Sequence, residues 1–458
     1  MLEWILRLPV WFWIALIVHG TVLGSVAYLI LLERKVASWI QDRLGPNRVG
    51  PGGLLQPLAD GLKFIFKEDF RPGGVDKVLF TLAPGLMMAV IVVSIAVIPW
   101  GGTWQRTWTV QTSANVADRE AAIASHIPYD AQVVNVVPAQ QADTYAVTFQ
   151  EPFQIASLNI GVLFILAILS LAVYGVVIGG WASNNKYSFL GGLRATANMI
   201  SYEIPLALGV LTIVVMFGTL DLGVIVNQQA HYWAGFIPAW NVFTQPLTFL
   251  LFLVCIHAEA NRAPFDLAEA EQELVGGYHT EYSSMRFALF FLGEYAGMIT
   301  TSALCVALFF GGWHLPGLTG PAETPGLSTS LWICILRAVV FFAKTVVIIS
   351  VFMWVRWTLP RFRFDQLMML AWRGLIPVSL ALMLATAIVL YFAAPHDALF
   401  AAGQGIGGWL ALYLLIANVA ITIGAMLIST ILPPAPRTNR KIKIEGSRFD
   451  NTPLPANG

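Results

Sequence analysis

Carboxylate side chains are concentrated in one stretch of the chain, between residues 259 and 294. Seven of the 26 Asp and Glu residues lie there, namely Glu259, Asp266, Glu269, Glu271, Glu273, Glu281 and Glu294. Carboxylates that lie close together cannot all ionise at low cost, so the pKa of some of them should rise toward neutrality. Such a group can hold and pass protons. An acidic loop exposed to water at a membrane surface is the alternative interpretation of the same pattern.

Three of the ionisable residues inside long apolar runs lie far from a polar boundary. Measured along a helix from the nearest polar boundary, Glu203 and Glu294 lie roughly 12 Å deep and Lys344 roughly 18 Å deep. A charge that faces lipid costs at least ~2.5 kcal/mol, so all three should face a bundle interior or water. We interpret them as part of a proton or ion path. A structural ion pair, for example between Lys344 and one of the glutamates, is the alternative.

Membrane-spanning helices are the elements that must position these residues. Only 11% of the 458 residues are charged and 57% are apolar, whereas a soluble protein carries roughly 25% charged residues. A helix needs about 20 apolar residues to cross a bilayer. Nine runs are candidates: 9–32, 79–99, 155–179, 196–218, 241–258, 287–312, 331–355, 375–394 and 407–432. We therefore predict an all-α polytopic membrane protein with about nine transmembrane helices, of which 241–258 is the shortest.

Basic residues predict the orientation of the chain, because they favour the inner side of a membrane. With the N-terminus outside, 21 of the 26 Lys and Arg residues fall in inside segments and three fall outside. The C-terminal tail then lies inside, and a bacterial plasma membrane is the expected location. The long outside segment 100–154 holds no apolar run, and a small β-hairpin is possible around residues 131–137 and 144–149.

A second polar segment, residues 33–78, contains an amphipathic helix. Its apolar residues recur at helical spacing, with Asp60, Lys63 and Lys67 on the other side. The apolar set is Leu54, Leu55, Leu58, Leu62 and Ile65. Such a helix should lie in the plane of the membrane surface. It is either a surface anchor or a wall of an entrance through which an apolar molecule arrives from lipid.

Several classes of function are disfavoured by composition and spacing. The 26 basic residues balance the 26 acidic ones, which argues against nucleic-acid binding. The three cysteines are far apart and form no CxxC motif, so neither an iron–sulfur cluster nor a disulfide framework is supported. The seven histidines show no metal-ligand spacing. Segment 403–408 matches GxGxxG, but it follows no strand and is not interpreted as a nucleotide site.

Long motifs occur in a fixed order along the chain. They are Glu33-Arg34-Lys35, Gly-Pro-Asn-Arg-Val-Gly-Pro at 45–51, Leu-Gln-Pro-Leu-Ala-Asp-Gly-Leu-Lys at 55–63, Gly-Trp-Ala-Ser-Asn-Asn-Lys-Tyr at 180–187, Ile-Ser-Tyr-Glu at 200–203, Glu-Ala-Asn-Arg-Ala-Pro-Phe-Asp-Leu at 259–267 and Pro-Arg-Phe-Arg-Phe-Asp-Gln-Leu-Met at 360–368. Together they resemble the membrane subunit that forms the quinone chamber of respiratory complex I, a family with bacterial and mitochondrial members. The resemblance covers about 1–100 and 152–394.

The resemblance implies a function that composition cannot supply. Members of this family belong to proton-translocating NADH:quinone oxidoreductase, fold as a tilted helical bundle, usually of eight spans, and help to form a tunnel for a quinone, ubiquinone or menaquinone. The flavin and the iron–sulfur clusters belong to partner subunits of the soluble arm, and antiporter-like membrane subunits are further partners. No metal, flavin or iron–sulfur cluster is therefore expected in this chain.

The resemblance also implies roles for individual residues. The residues that the resemblance implies to line or guard the tunnel are Arg34, Arg43, Asp60, Lys63 and Phe64. Arg286 is expected where the tunnel meets a group of carboxylates called the acidic funnel. The funnel, which links quinone reduction to proton pumping, comprises Glu203, Asp266, Glu269, Glu271, Glu273, Glu281 and Glu294, and we add Lys344 to this proton path. Arg361 and Arg363 are expected to face the soluble arm.

Two segments exceed the usual pattern of this family. We predict a quinone-chamber membrane domain over residues 1–394 with an external insertion at 103–150. An extra C-terminal transmembrane helix follows at 395–432, and a mobile tail at 433–458 lies inside. Neither addition displaces a motif.

Two other functions compete with the quinone-chamber subunit. One is the related subunit of a membrane-bound hydrogenase that pumps ions without quinone, and the intact motifs at 33–63 and 360–368 argue against it. The other is an independent secondary transporter, which would show inverted repeats and broken helices around a midplane site. Neither sign is visible in the sequence.

Overall fold

The apolar runs of the sequence form helices throughout the chain. The structure, a computed structural model, describes residues 10–111, 132–138, 144–233, 236–267, 275–319, 330–393 and 406–431. In chain order the helices there are α1 (Val10–Ile40), α2 (Gln56–Phe66), α3 (Lys77–Ile95), α4 (Gly161–Ala182), α5 (Lys186–Phe217), α6 (Leu222–Gln228), α7 (Asn241–Thr244), α8 (Pro246–Glu259), α9 (Ser284–Phe309), α10 (Leu331–Thr358), α11 (Phe364–Met369), α12 (Ile376–Ala393) and α13 (Gly408–Ile431).

Eight helical segments among the described residues are long and apolar enough to cross a membrane. Seven of them are α1, α3, α4, α5, α9, α10 and α13, and the eighth is Phe364–Ala393, in which a π-helical turn joins α11 to α12. The prediction of an all-α polytopic membrane protein is confirmed. The predicted span 241–258 differs from the others because it is broken at Gln245, which leaves α8 with 14 residues.

Helix boundaries extend beyond the apolar runs that predicted the spans. Helix α1 continues through Glu33 and Arg34 to Ile40, and α5 begins at Lys186 although its apolar run begins only at residue 196. Asn185 caps α5 by accepting a hydrogen bond from the Tyr187 backbone N–H at 2.9 Å. Such a cap stabilises a helix start in water, whereas hydropathy marks only the part of a helix that lies in lipid.

The long segment between α3 and α4 forms a three-stranded antiparallel sheet. Its strands are β1 (Thr103–Gln111), β2 (Gln132–Pro138) and β3 (Thr144–Pro152), in the order β1-β3-β2. The hairpin of β2 and β3 agrees with the sequence analysis, and β1 was not predicted. Arg106 on β1 pairs with Glu151 at 3.3 Å. A two-stranded ribbon, β4 (Tyr232–Trp233) with β5 (Ile237–Pro238), follows α6.

The connecting segments gather at two ends of the bundle. We call one the basic end, made of the described parts of residues 41–76, 183–185, 260–283 and 359–363. The other is the sheet end, made of the strands and residues 310–319. At the basic end the Phe362 N–H donates to the Pro264 carbonyl at 3.3 Å. At the sheet end the Trp100 N–H donates to the Phe153 carbonyl at 3.2 Å.

Helix α9 lies at the centre of the bundle, and α2 lies at its basic end. Every residue of α9 from Met298 to Phe309 is buried. In contrast, no residue of α2 is buried, and Leu58 is 63% exposed. The exposed leucines of α2 are the apolar face that the sequence analysis identified.

Helix α13 packs on α8 and α12 through buried polar side chains. Asn418 donates to the Gln245 side-chain oxygen, and the Gln245 amide nitrogen donates to the Thr386 hydroxyl at 3.0 Å. The Thr248 hydroxyl also donates to the Gln245 oxygen, at 2.9 Å. These contacts satisfy the polar side chain at the break between α7 and α8.

Candidate functional site

A buried arginine joins two carboxylates that come from distant parts of the chain. Arg262 follows α8 and lies between Glu33 on α1 and Glu294 on α9. Its Nη1 is 4.0 Å from Glu33 Oε2, and its Nη2 is 3.8 Å from Glu294 Oε2. All three residues are at most 6% exposed. A charged group buried this deeply is stabilised by nearby opposite charges, so the three residues form one electrostatic unit.

Two tyrosines complete this unit, which we call the Arg262 cluster. The Tyr295 hydroxyl donates to Glu33 Oε2 at 2.6 Å, and the Tyr278 hydroxyl donates to Glu294 Oε1 at 2.8 Å. The Arg262 guanidinium also lies 4.0 Å from the centroid of the Tyr295 ring. Arg356, at the end of α10, forms a second ion pair with Glu33. Each carboxylate therefore has both a cationic and a phenolic partner.

Asp266 connects this region to the loop between α10 and α11. Its Oδ2 lies 3.0 Å from Arg361 Nη2, and Asp266 itself is 6% exposed. Arg363 is the N-cap residue of α11, and its backbone N–H donates to Gln366 Oε1 at 3.0 Å. Arg361 is thus held by this chain's own carboxylate, and Arg363 is exposed.

Glu203 on α5 and Glu259 at the end of α8 line a small cavity inside the bundle. The cavity measures about 20 Å³ and is also lined by Ser170 and Thr301. A cavity needs roughly 10–15 Å³ to hold a water molecule, so this one has room for about one. Glu203 Oε1 and Glu259 Oε2 are buried and form no hydrogen bond within the described part of the chain. The two carboxylates therefore lie beside a space of about the size of one water molecule.

Four of the six predicted tunnel residues lie where α1 and α9 meet the α2 region. Arg34 Nη1 on α1 pairs with Asp60 Oδ2 on α2 at 2.7 Å. The Phe64 carbonyl accepts a hydrogen bond from the Ser284 hydroxyl at 2.8 Å. Arg286 on α9 pairs with Asp69 at 3.1 Å. These contacts hold α2 across the basic end.

The other two predicted tunnel residues, Arg43 and Lys63, have exposed side chains. Lys63 lies on α2, and Arg43 follows α1, where its backbone N–H donates to the Ser38 carbonyl at 2.9 Å. The structure therefore places both at the basic end, outside the ion pairs that hold α2.

The remaining predicted acids divide between the basic end and residues outside the described part. Glu281 Oε1 accepts a hydrogen bond from the Asn185 side chain at 2.6 Å, so it lies beside the start of α5. Glu269, Glu271 and Glu273 fall in residues 268–274, which lie outside the described residues, as do residues 403–405 of segment 403–408.

Lys344 lies apart from the carboxylates, toward the sheet end. Its ammonium donates to the backbone carbonyls of Phe310, Gly312 and His314 at 2.7, 3.0 and 2.6 Å. It also lies 4.5 Å from the centroid of the Trp240 ring. These carbonyls follow the C-terminus of α9, where a cation is favourable to the helix dipole. No glutamate lies within ion-pair distance of Lys344 in the described residues, so the alternative of a structural ion pair is not seen there.

His314 beside Lys344 is buried and uncharged. Burial lowers the pKa of His314 to about 4, and electrostatic repulsion from Lys344, Arg337 and His231 contributes to this decrease. The imidazole is therefore neutral near pH 7, and its Nε2 forms a hydrogen bond with the Tyr232 hydroxyl at 3.1 Å. This arrangement holds residues 310–314 against α10 and β4.

Sequence reasoning missed several residues that the structure brings into the site. Glu33 lies just past the end of the predicted span 9–32, so it was not counted as an intramembrane charge. Glu259 and Arg262 belong to a motif but received no individual role. Tyr278 and Tyr295 gave no signal beyond the position of Tyr295 next to Glu294. If the predicted span had been extended to the observed end of α1 at Ile40, Glu33 would have been recognised as a charged residue inside the helix, more than one turn before its end.

Comparisons with known proteins identify close relatives. A sequence profile described as NADH dehydrogenase matches residues 13–387. The chain is 43% identical to an H-type NADH-quinone oxidoreductase subunit of Cytophaga hutchinsonii, over 82% of this chain and 96% of the relative. It is 44% identical to the H-type subunit of Protochlamydia amoebophila, over 79% and 92% of the two chains. It is 45% identical to the H-type subunit of Leptospira biflexa, over 78% and 88%.

Proposed function

The chain belongs to the NADH dehydrogenase family, and from this premise we propose that it is the quinone-chamber subunit of a proton-translocating NADH:quinone oxidoreductase. In this proposal it forms part of the tunnel in which quinone is reduced, and its carboxylates relay the resulting charge change toward proton pumping. The electrons arrive from NADH through the flavin and iron–sulfur subunits of a soluble arm. Antiporter-like membrane subunits are the other partners. Ubiquinone or menaquinone is the substrate.

The observation that carries this proposal is the position of Arg262 between Glu33 and Glu294. Glu33 is the chain neighbour of Arg34, and Arg34 pairs with α2. Glu294 lies on the central helix α9. The Arg262 cluster therefore connects the proposed tunnel wall to the interior of the bundle through buried charges.

The quinone side of the proposal rests on α2 and its attachments. Helix α2 exposes an apolar face that suits the isoprenoid tail of a quinone, which is otherwise dissolved in lipid. Arg34, Asp60 and Lys63 place polar groups beside that face. Polar groups at a few points in an apolar site set the orientation of a ligand. The tunnel in this proposal therefore opens between α1 and α2.

The proton side rests on the carboxylates and their different surroundings. Reduction of a quinone to a quinol takes up two electrons and two protons, and negative charge develops near Arg262 before the protons arrive. In a site of low dielectric constant, such a charge changes the relative strength of the two Arg262 ion pairs. A weakened pair with Glu294 favours protonation of that carboxylate. Glu203 and Glu259, which share a water-sized cavity, then continue the path.

The proposal includes a location and an orientation. The chain spans a bacterial plasma membrane several times, with its N-terminus outside. With residues 241–259 as a ninth crossing, its C-terminus lies inside. The basic end then faces the cytoplasm and receives the soluble arm near Arg361 and Arg363. The sheet of residues 103–152 lies outside, as an insertion in a membrane domain of residues 1–394. Residues 395–432, which contain α13, are the added span, and the tail follows it.

Gentle purification tests this proposal directly. The full-length chain is tagged at its C-terminus, extracted from its own membranes in a mild detergent, and analysed by mass spectrometry for co-purifying chains. We expect flavin and iron–sulfur subunits, together with NADH-driven reduction of an added short-chain quinone. A chain recovered alone, or with hydrogenase subunits and no quinone reduction, contradicts the proposal.

A further inference from the structure

A cavity at the basic end is separate from the Arg262 cluster and from the proposed tunnel. It has a volume of about 600 Å³ and lies where α4 ends and where α3 and α5 begin. Its lining includes Asp76, Trp181, Asn184, Lys186 and Phe189. Pockets that hold small molecules measure about 300–1,000 Å³, so this cavity is of a size to accept a molecular group.

The cavity combines one cation, one anion and an aromatic wall. Lys186 begins α5, and its ammonium lies 5.3 Å from the centroid of the Tyr187 ring. Lys186 has no carboxylate within ion-pair distance among the described residues. Asp76 caps α3 through Oδ1, which accepts from the Val78 and Leu79 backbone N–H groups at 3.0 and 3.1 Å. Its other oxygen, Oδ2, takes no part in this cap.

The surroundings of the cavity are those of a bilayer interface. Trp181 is 64% exposed and packs edge-on against Phe189, with ring centroids 5.7 Å apart. Tryptophan is enriched at the level of lipid headgroups. Tyr174 and Leu171, which precede Trp181 on the same helix face, are 58% and 42% exposed. An apolar strip therefore descends along α4 from the cavity into the membrane-crossing part of the bundle.

These features define the chemistry of the occupant. Lys186 and the first turn of α5 suit a phosphate, because helix N-termini favour anions. Asp76 Oδ2 suits an ammonium that can donate a hydrogen bond, and the strip along α4 suits an acyl chain. We propose that this cavity binds the headgroup of a zwitterionic phospholipid with a primary amine, of the phosphatidylethanolamine type. Sites for anionic lipids are clusters of basic residues instead, and this lining holds a single lysine and a single aspartate.

Lipid retention by the purified protein tests this inference. The full-length chain, with the chains that accompany it, is washed with detergent and incubated with equal amounts of phosphatidylethanolamine, phosphatidylglycerol and cardiolipin that carry the same acyl chains. Retained lipid is then measured by native mass spectrometry. We expect phosphatidylethanolamine to be retained selectively. Equal or preferred retention of an anionic lipid overturns the inference, and so does a cavity filled by a neighbouring chain that admits no lipid.

Two substitutions and a control assign the binding to this cavity. Lys186→Met should lower retention of phosphatidylethanolamine about tenfold, which corresponds to about 1.4 kcal/mol. Asp76→Asn keeps a side-chain oxygen for the helix cap but removes the charge, so it should shift retention toward phosphatidylglycerol. Lys77→Met removes a neighbouring exposed charge that does not line the cavity, and retention should match the unmodified protein. Equal effects of Lys186→Met and Lys77→Met contradict the assignment, as does an unchanged lipid preference in Asp76→Asn.

Discussion

The phenol of Tyr295 on α9 donates a hydrogen bond of 2.6 Å to the carboxylate of Glu33 on α1. The same ring lies beneath the Arg262 guanidinium, 4.0 Å from its centroid. Tyr295 therefore acts on both members of one ion pair, as a hydrogen-bond donor to the acid and as a cation–π partner of the base. Its two contacts can be separated by substitution.

Tyr295→Phe removes the hydroxyl and keeps the ring. A hydrogen bond to a charged group contributes about 1.5–3 kcal/mol, so Glu33 should be less firmly held while Arg262 stays in place. We expect normal assembly and quinone reduction slowed about tenfold or more. NADH:quinone turnover in membranes, normalised to the amount of assembled complex, measures the effect. Tyr28→Phe on the same helix as Glu33 is the control, since Tyr28 is 53% exposed. Equal turnover in the two variants would remove the hydroxyl from the proposed mechanism.

Arg262→Met should be more severe, because it leaves two buried carboxylates without their shared cation. Removing one partner of a buried ion pair typically costs about 3–5 kcal/mol. We expect a smaller amount of assembled protein and a lower midpoint of thermal unfolding. Arg262→Lys keeps the charge and should restore part of the assembly. Full assembly and stability in Arg262→Met would show that the Arg262 cluster does not hold α1 to α9.

Glu203→Gln and Glu259→Gln remove a titratable proton without changing the shape of the side chain. Both residues line the water-sized cavity, so we expect either change to slow quinone turnover and proton pumping while assembly stays normal. Turnover and the pH gradient across sealed vesicles are the two measurements. Glu68→Gln, which neutralises an exposed carboxylate at the basic end, is the matched control. Normal pumping in both cavity variants would exclude this pair from the path.

Arg34→Ala breaks the pair with Asp60 at the junction of α1 and α2. Arg34 is 47% exposed at its side chain, so the pair contributes only about 0–1 kcal/mol to stability. We expect the protein to assemble and its rate of quinone reduction to fall. Short- and long-tailed quinones should be compared, with Arg48→Ala as a control at an exposed arginine of the segment that follows α1. Normal rates with both quinones would place Arg34 outside the tunnel.

Lys344→Met separates two roles for a residue that we placed in the proton path. The structure shows its ammonium on three carbonyls beyond the end of α9, where each charged hydrogen bond contributes about 1.5–3 kcal/mol. We expect the thermal midpoint to fall by several degrees and pumping to fall with the amount of folded protein. Lost pumping at an unchanged midpoint would instead support a direct part in proton transfer.

The sequence predicted most of the spans because hydropathy reports on lipid contact. Contact with lipid requires the long apolar runs that distinguish membrane-crossing helices from the other segments of the chain. It did not predict the break at Gln245. The polar partners that stabilise this break, Asn418 and Thr386, lie on helices more than a hundred residues away. The same limit applies to the site. The acids between 259 and 294 were visible as a cluster, but the contact of Arg262 with Glu33 depends on how α1 packs against α9. The pattern of neighbouring residues in the sequence does not indicate how these two helices pack.

Helix α1 is continuous from Val10 to Ile40, and its two neighbouring charges point to different partners. Glu33 pairs inward with Arg262 and Arg356, while Arg34 pairs with Asp60 on α2. Successive residues of an α-helix project about 100° apart, since one turn takes about 3.6 residues. A rotation of α1 about its own axis would therefore strain both sets of contacts together. One continuous helix therefore couples the exposed contact with α2 to the buried ion pairs of Glu33.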